Sequence, residues 1–275
     1  MEQRVRVTIT DGVADVRLSR PDKMNALDQA MFDALVETGS SLVNLRGLRA
    51  VVISGEGRAF CAGLDMGRFA KMAAPVEGDT TAFNEQRLGT RSHGLANATQ
   101  YAVLVWQDIP VPVIAAVHGV AFGGGFQLAL GADMRFVAPD TKMSVMEVKW
   151  GLVPDMGGTL LMPRLARGDV IRELTFSGRV FSGTEALSMG FATRVCDDPY
   201  AAAMDFAREV AGKSPHAVRA GKRLMKLMET DDAASILRSE SYEQVRLLGS
   251  VNQKEAVVAN LQKRAPAFVE VEPDV

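Results

Sequence analysis

Three consecutive glycines, Gly123, Gly124 and Gly125, stand between two apolar runs, Val113-Ile114-Ala115-Ala116-Val117 and Phe126-Gln127-Leu128-Ala129-Leu130. The first run reads as a buried strand and the second, continued to Asp133, as a helix. Glycines at such a junction leave main-chain N–H groups with no Cβ in front of them, where the first-turn donors of a helix lack an internal partner. A place like that binds an anion, or a carbonyl oxygen that becomes one during reaction. A ligand-free turn uses the same residues. The triplet is no dinucleotide fingerprint, because Phe126, Gln127 and Leu128 occupy the relevant places, and Gly212-Lys213-Ser214 is no Walker motif, because Ala207 stands where its leading glycine would be. A second junction lies upstream. There the β-branched run Ala50-Val51-Val52-Ile53 leads through Ser54-Gly55-Glu56-Gly57-Arg58 into Ala59-Phe60-Cys61-Ala62-Gly63-Leu64-Asp65. Each junction alone is a turn; together they favour two N–H groups converging on one oxygen, an oxyanion hole.

Two further segments complete the set: Arg20-Pro21-Asp22-Lys23-Met24-Asn25-Ala26-Leu27 before these junctions and Gly151-Leu152-Val153-Pro154-Asp155-Met156-Gly157-Gly158 after them, with His118-Gly119-Val120-Ala121-Phe122 leading into the triplet. In this order and spacing the chain resembles the crotonase family, the enoyl-CoA hydratase/isomerase superfamily, over nearly its whole length, from Val5 to Phe268. The resemblance implies an acyl-CoA thioester substrate, with coenzyme A entering as part of it and no resident cofactor. It places the oxyanion hole at the N–H groups of Leu64 and Gly124, where a thioester carbonyl is stabilised as it turns into an enolate. Glu147, in Met146-Glu147-Val148-Lys149-Trp150, falls where the family's second catalytic glutamate sits; the plain alternative is a solvated glutamate paired with Lys149. Gln127 stands where the family's hydratases carry a glutamate, and a glutamine cannot exchange a proton. It could orient a water or a substrate group, but the paired acid and base are broken. Asp155, eight residues after Glu147, matches an aspartate of members that shift double bonds in dienoyl-CoA, although those members tend to be acidic where Gln127 stands. The family's dehalogenases use the same aspartate but carry tryptophan in place of Glu147. As a bare residue, Asp155 reads as a turn after Pro154. The nucleotide end of coenzyme A is expected near Lys23, Ala26, Leu27, Ala62 and Asp65, with Lys23 as a phosphate partner or a solvated charge. Lys263 and Phe268 fall where C-terminal helices of the family touch coenzyme A, sometimes from a neighbouring subunit.

The bulk properties fit this. The chain has 275 residues, 47% apolar, enough for one large domain or a domain with an appendage. Its 31 basic and 33 acidic residues are well mixed, so no basic field recruits nucleic acid or an anionic membrane. Two cysteines, Cys61 and Cys196, are too few for a disulfide framework and fit a reducing compartment. Cys61 reads as a small packing residue. His93, His118 and His216 lack metal-ligand spacing, so no metal site is expected, and His118 reads as a turn residue. With no apolar signal segment in Met1-Glu2-Gln3-Arg4-Val5 and no run approaching a membrane span, a cytoplasmic protein is expected.

The elements that must hold these residues alternate. Val5, Val7 and Ile9, then Ala14, Val16 and Leu18, alternate with mostly polar residues about Asp11-Gly12, a hairpin signal. Asp28 can cap a helix carrying Met31, Leu35 and Leu42. Residues 71–92 read as a loop or irregular helix, and 99–107 as a helix. The β and α runs repeat to about Val195, giving an α/β fold; the resemblance implies the crotonase spiral of stacked β-β-α turns. After Asp197-Asp198-Pro199 the pattern is helix alone, over 200–213, 214–228, 232–248 and 253–263. We divide the chain into a spiral core with the acyl-CoA site, 1–198, and a C-terminal helical region, 199–275, which in the family builds a trimer, often paired into a hexamer. Met204, Leu224, Met225, Leu227, Met228, Ile236 and Leu237 read first as core and second as a partner surface. The expected activity is a double-bond shift in enoyl- or dienoyl-CoA through an enolate, with Glu147 as principal base. The rivals are an enoyl-CoA hydratase tolerating Gln127 and, in another class, a non-catalytic acyl-CoA- or RNA-binding homologue. Near-neutral charge opposes RNA, and retention of Glu147 opposes a lapsed site.

Overall fold

The computed structural model describes residues 3–73, 85–86, 88–228 and 231–270. Most of the 71–92 stretch lies outside them. Strands β1 (Val5–Thr10) and β2 (Val13–Leu18) pair antiparallel, with Val5 opposite Leu18. Asp11 and Gly12 between them have φ of +50° and +78°, the two positive values that a type I′ turn requires. Four parallel strands extend the sheet: β3 (Ala50–Gly55), β4 (Val113–Val117), β6 (Met134–Val137) and β9 (Arg194–Val195), in the order β1-β2-β3-β4-β6-β9.

Both faces of this sheet are covered, which is why β3 and β4 read as unbroken apolar runs rather than alternating ones. Successive residues still point to opposite faces. Val51, Ile53, Val113, Ala115 and Val117 join the main core with helices α1 (Gln29–Val43) and α3 (Ala98–Asp108). Ala50, Val52, Ile114 and Ala116 meet Ala203 and Ala207 of helix α8 (Pro199–Ala211) on the other face. The α1 cap is as expected, Asp28 accepting from Met31 N at 2.8 Å. Asn97 caps α3 in a reciprocal box with Gln100.

A small second sheet, β5 (Val120–Phe122), β7 (Lys142–Ser144) and β8 (Phe181–Ser182), ordered β5-β7-β8, carries the spiral onward. Helix α4 (Gly124–Leu130) follows β5 directly. It stops short of Asp133. Gly131 packs so closely on α3 that a Cβ would lie 2.4 Å from Val103 O, and Asp133 turns back to donate its N–H to Val113 O.

The all-helical end comprises α8, α9 (Pro215–Leu227), α10 (Ala233–Leu247) and α11 (Val251–Leu261), the first, third and fourth capped by Asp198, Asp232 and Ser250. Of these, α8 covers the sheet's second face. α9 is anchored by Lys222, which donates to Val111 O and Asp133. The expectation of core positions fails at Met225, Met228 and Leu237, about 60% exposed; among the described residues no element lies over them. Among the described residues, no helix is long and apolar enough to cross a membrane.

Candidate active site

The two glycine junctions meet. The segment after β3 runs alongside β5: Cys61 N donates to Val120 O and Phe122 N to Cys61 O. Gly63 has φ of +84°, and a Cβ on it would fall 2.5 Å from Phe122 O and 3.6 Å from Gly124 N. Leu64 forms a parallel bridge with Leu27, in which Leu27 N donates to Gly63 O and Asp65 N to Leu27 O. In that pattern the N–H of Leu64 itself points away from Leu27. Gly124 opens α4, so its N–H has no acceptor within the helix. Leu64 and Gly124 therefore bring main-chain donors to one cleft, of about 300 Å³, which both residues line. Gly125 explains the tightness of the junction, since a Cβ there would lie 2.2 Å from Cys61 O.

The acidic side is built differently. Residues Glu147–Trp150 form a single 3-10 turn closed by Gly151 at φ +68°, which rolls Glu147 inward while Val148 and Trp150 stay exposed. Glu147 is 9% exposed and Gln127, on α4, only 1%. Gln127 Nε2 donates to Glu147 Oε1 at 2.7 Å, and Gln127 Oε1 accepts from Met156 N at 3.0 Å and Gly158 N at 2.9 Å. Glu147 Oε2 is buried without a hydrogen bond from any described residue. Burial holds the Glu147 carboxyl above the usual glutamate range and the negative charge of Asp155 adds to this, while the main-chain N–H of Glu147, the Gln127 amide and the main-chain N–H of Met146 oppose it. Asp155 is exposed and borders the same cleft, so the sequence-derived set Glu147, Gln127 and Asp155 is gathered in space. Gln127 is the member that does not face the open space: its oxygen is spent on main-chain donors and its NH2 group on Glu147.

The profile of the family described as Enoyl-CoA hydratase/isomerase matches residues 8–271. This chain belongs to the enoyl-CoA hydratase/isomerase family. It is 32% identical to a carnitinyl-CoA dehydratase of Proteus mirabilis over 98% of this chain and 99% of that one. It is 35% identical to the mouse mitochondrial Delta(3,5)-Delta(2,4)-dienoyl-CoA isomerase, over 76% of this chain and 64% of the mouse protein's length. Among solved structures, a putative enoyl-CoA hydratase from Streptomyces coelicolor A3(2) superimposes with a TM-score of 0.85 at 31% identity, covering 97% of this chain and 94% of that one. The crotonase fold expected from the motifs is the fold observed.

Within this hydratase/isomerase-family chain the coenzyme A candidates divide. Ala62 and Leu27 border the cleft. Ala62 N donates to Met24 O, so the 23–27 and 62–65 segments form one rim. Asp65 is held by Arg20 at 2.7 Å and accepts from Gly67 N; Ala26 O accepts from Arg20. Lys23 is exposed at the end of the 3-10 turn Pro21–Lys23. Lys263 and Phe268 are not in the cleft of their own chain, the tail there returning to Asn252, which accepts from Val269 N. Cys61 is a buried packing residue with its thiol pushed up to about 12 by desolvation, hence inert, and His118 reaches Gly57 O beside its turn. Sequence reasoning missed the apolar wall: Phe32 from α1, Phe69 from helix α2 (Met66–Ala73), and Trp150, the last two stacked at 4.3 Å. They come from three segments that no motif joins. The inward face of α1 was the one available signal, and Phe32 lies on it. A cavity of about 360 Å³ beneath α9, lined by Lys222, Met225 and Arg164, contains none of the candidate residues.

Proposed function

We propose that the chain shifts a double bond in an enoyl- or dienoyl-CoA thioester through an enolate, with Glu147 as the base. The observation that carries this reading is the pairing of Glu147 with an amide instead of a second carboxylate. Hydration needs a water held and split between an acid and a base; here the partner of Glu147 is a glutamine whose polar atoms are already engaged. A proton shift needs less. The thioester oxygen sits against the N–H groups of Leu64 and Gly124, which lowers the cost of removing the α- or γ-proton next to the conjugated system. Glu147 Oε2 takes that proton. For a 3-enoyl substrate Glu147 returns that proton at the far end of the conjugated system; for a longer dienoyl one Asp155, entering the step protonated, delivers its own proton there, and the proton held by Glu147 passes back to Asp155 through solvent before the next turnover. The coenzyme A moiety lies along the rim formed by Lys23, Ala26, Leu27, Ala62 and Asp65, and the acyl chain against Phe32, Phe69 and Trp150. The reading calls for no resident cofactor.

The hydratase reading has its own support in the Proteus dehydratase, which matches from end to end. A lapsed, purely binding member is disfavoured by the buried Glu147, whose ionisation the fold would have no reason to tolerate. Assembly into a trimer or hexamer is supported by Leu237 and Val245 of α10, Leu248 just after it and Leu261 of α11, all exposed apolar side chains.

A spectrophotometric panel of 2-enoyl-, 3-enoyl- and 3,5-dienoyl-CoA tests the reaction. Isomerisation of an unsaturated substrate, lost in Glu147→Gln and impaired in Asp155→Asn far more for the dienoyl substrate, is the expected pattern. Rapid hydration of 2-enoyl-CoA by the unaltered protein, with no gain from Gln127→Glu, would hand the assignment to the hydratase.

A further inference from the structure

Gln127 occupies a glutamate's place in the motif, yet its surroundings give it different work. Its amide has only one workable orientation. Two main-chain donors, Met156 N and Gly158 N, converge on Oε1, and the flipped amide would set its NH2 group against both. Nε2 is therefore forced toward Glu147, where it donates to Oε1 at 2.7 Å. The absence of a side chain at Gly158 makes the arrangement possible, because a Cβ there would lie 2.7 Å from Gln127 Oε1. The far oxygen of Glu147 is left as the buried atom without a hydrogen bond.

We propose that Gln127 is a positioning residue: it clamps Oε1 of Glu147, supports that carboxylate as an anion, and leaves Oε2 as the one oxygen that exchanges protons with substrate. The choice of reaction served by Oε2 rests on the double-bond shift proposed above; the clamp itself is a property of the carboxylate and can be tested apart from turnover. A hydrogen bond donated to the charged form favours that form, against the burial that disfavours it. The other charged groups around the turn are few. Asp155, on the loop that follows, and Arg68 of α2 border the cleft, and Lys149 is exposed on the turn itself. Helix α6 (Gly168–Ser177), packed against the turn, carries Asp169, Arg172 and Glu173, of which Asp169 is paired with Arg167 and Glu173 with Arg179. Gln127 is the group that donates a side-chain hydrogen bond to Glu147.

The test follows the protonated-carboxyl stretch of Glu147 by infrared difference spectroscopy across pH, assigned by its disappearance in Glu147→Gln. Two variants are compared with the unaltered protein. Gln127→Met keeps length and removes the donor. Gln127→Asn keeps a neutral amide but, one methylene shorter, withdraws its N–H from Glu147 without adding a charge, so it decides the matter should the methionine variant fail to fold. In both, the Glu147 midpoint is expected to rise by about one to two pH units, the worth of one hydrogen bond to a charged group. The acid limb of kcat/KM should move with it. A glutamine that merely fills space would lower kcat at every pH and leave the midpoint in place, and an unmoved midpoint in folded Gln127→Asn overturns the proposal. A moved midpoint in a protein that isomerises no enoyl-CoA would keep the clamp and reject the reaction.

Discussion

The two walls of the cleft are made of different materials. One is main chain: Leu64 and Gly124 present N–H groups from segments locked by strand-like hydrogen bonds, with glycines wherever two backbones touch. The other is side chain: Glu147 on a 3-10 turn, Gln127 on α4 and Asp155 on the loop beyond. The main-chain wall depends on fold and is indifferent to most side chains, so on the proposed reading it is what admits a thioester. The side-chain wall depends on which atoms can hold a proton, so it decides which reaction occurs. Replacing one amide by one carboxylate at position 127 would leave the first wall untouched and rewrite the second.

Breaking each wall should have separable consequences. The largest effect is expected from Glu147→Gln, which removes the proposed base while keeping shape: a loss of about 10²–10⁴-fold in kcat, measured as isomerisation of enoyl-CoA in the folded variant. Gly124→Pro attacks the other wall by deleting one N–H in the first turn of a helix, where the φ of proline is allowed; its Cβ would press on Met156 Sδ at 2.7 Å and Leu27 Cδ1 at 2.9 Å, ends of flexible side chains that must give way. A loss of about 10²–10³-fold in kcat with an unchanged circular dichroism spectrum is expected; full activity in a folded protein would remove Gly124 from the oxyanion hole. Gly125→Ala tests the packing that keeps the main-chain wall in register. Its Cβ would meet Cys61 O at 2.2 Å, a backbone atom that cannot swing aside, and a destabilisation of about 1–3 kcal/mol by denaturant unfolding is expected.

The smallest effect sharpens the comparison through pH. Burial raises the Glu147 carboxyl, so the folded state favours its protonated form. That advantage is complete below the ordinary value of 4.5 and is lost as pH rises through the raised value. Glu147→Gln never acquires the charge. Its stability relative to the unaltered protein should therefore increase as pH rises from about 4 to 8, read as a growing difference in Tm. An activity loss accompanied by a stability gain is the mark of a side-chain wall held in a strained electrostatic state; the opposite sign would mean that Glu147 is satisfied as an anion and that its burial carries no cost.

Much of this was legible before any coordinates. The Asp11-Gly12 turn fixed the first hairpin because both residues tolerate positive φ, and Asp28 marked a helix start because its carboxylate accepts from the first turn. These signals are local, so a sequence contains all of them. The faces of the C-terminal helices were less legible: Met225, Met228 and Leu237 have the spacing of core residues but face outward, since periodicity reports that a face is apolar and not what lies against it.

By itself the sequence determined the family, the two glycine junctions and the unionisable residue at 127, because each depends on residue type at fixed spacing. Only the tertiary structure decided what Gln127 does. The direction of its amide is set by Met156 N and Gly158 N, which reach it by packing across more than one turn of the spiral. The same holds for the acyl wall, where Phe69 and Trp150 stack although 81 positions separate them in the chain. Hydrogen-bond direction and ring contact are properties of three-dimensional neighbours, and a linear pattern names the residues without naming the neighbours.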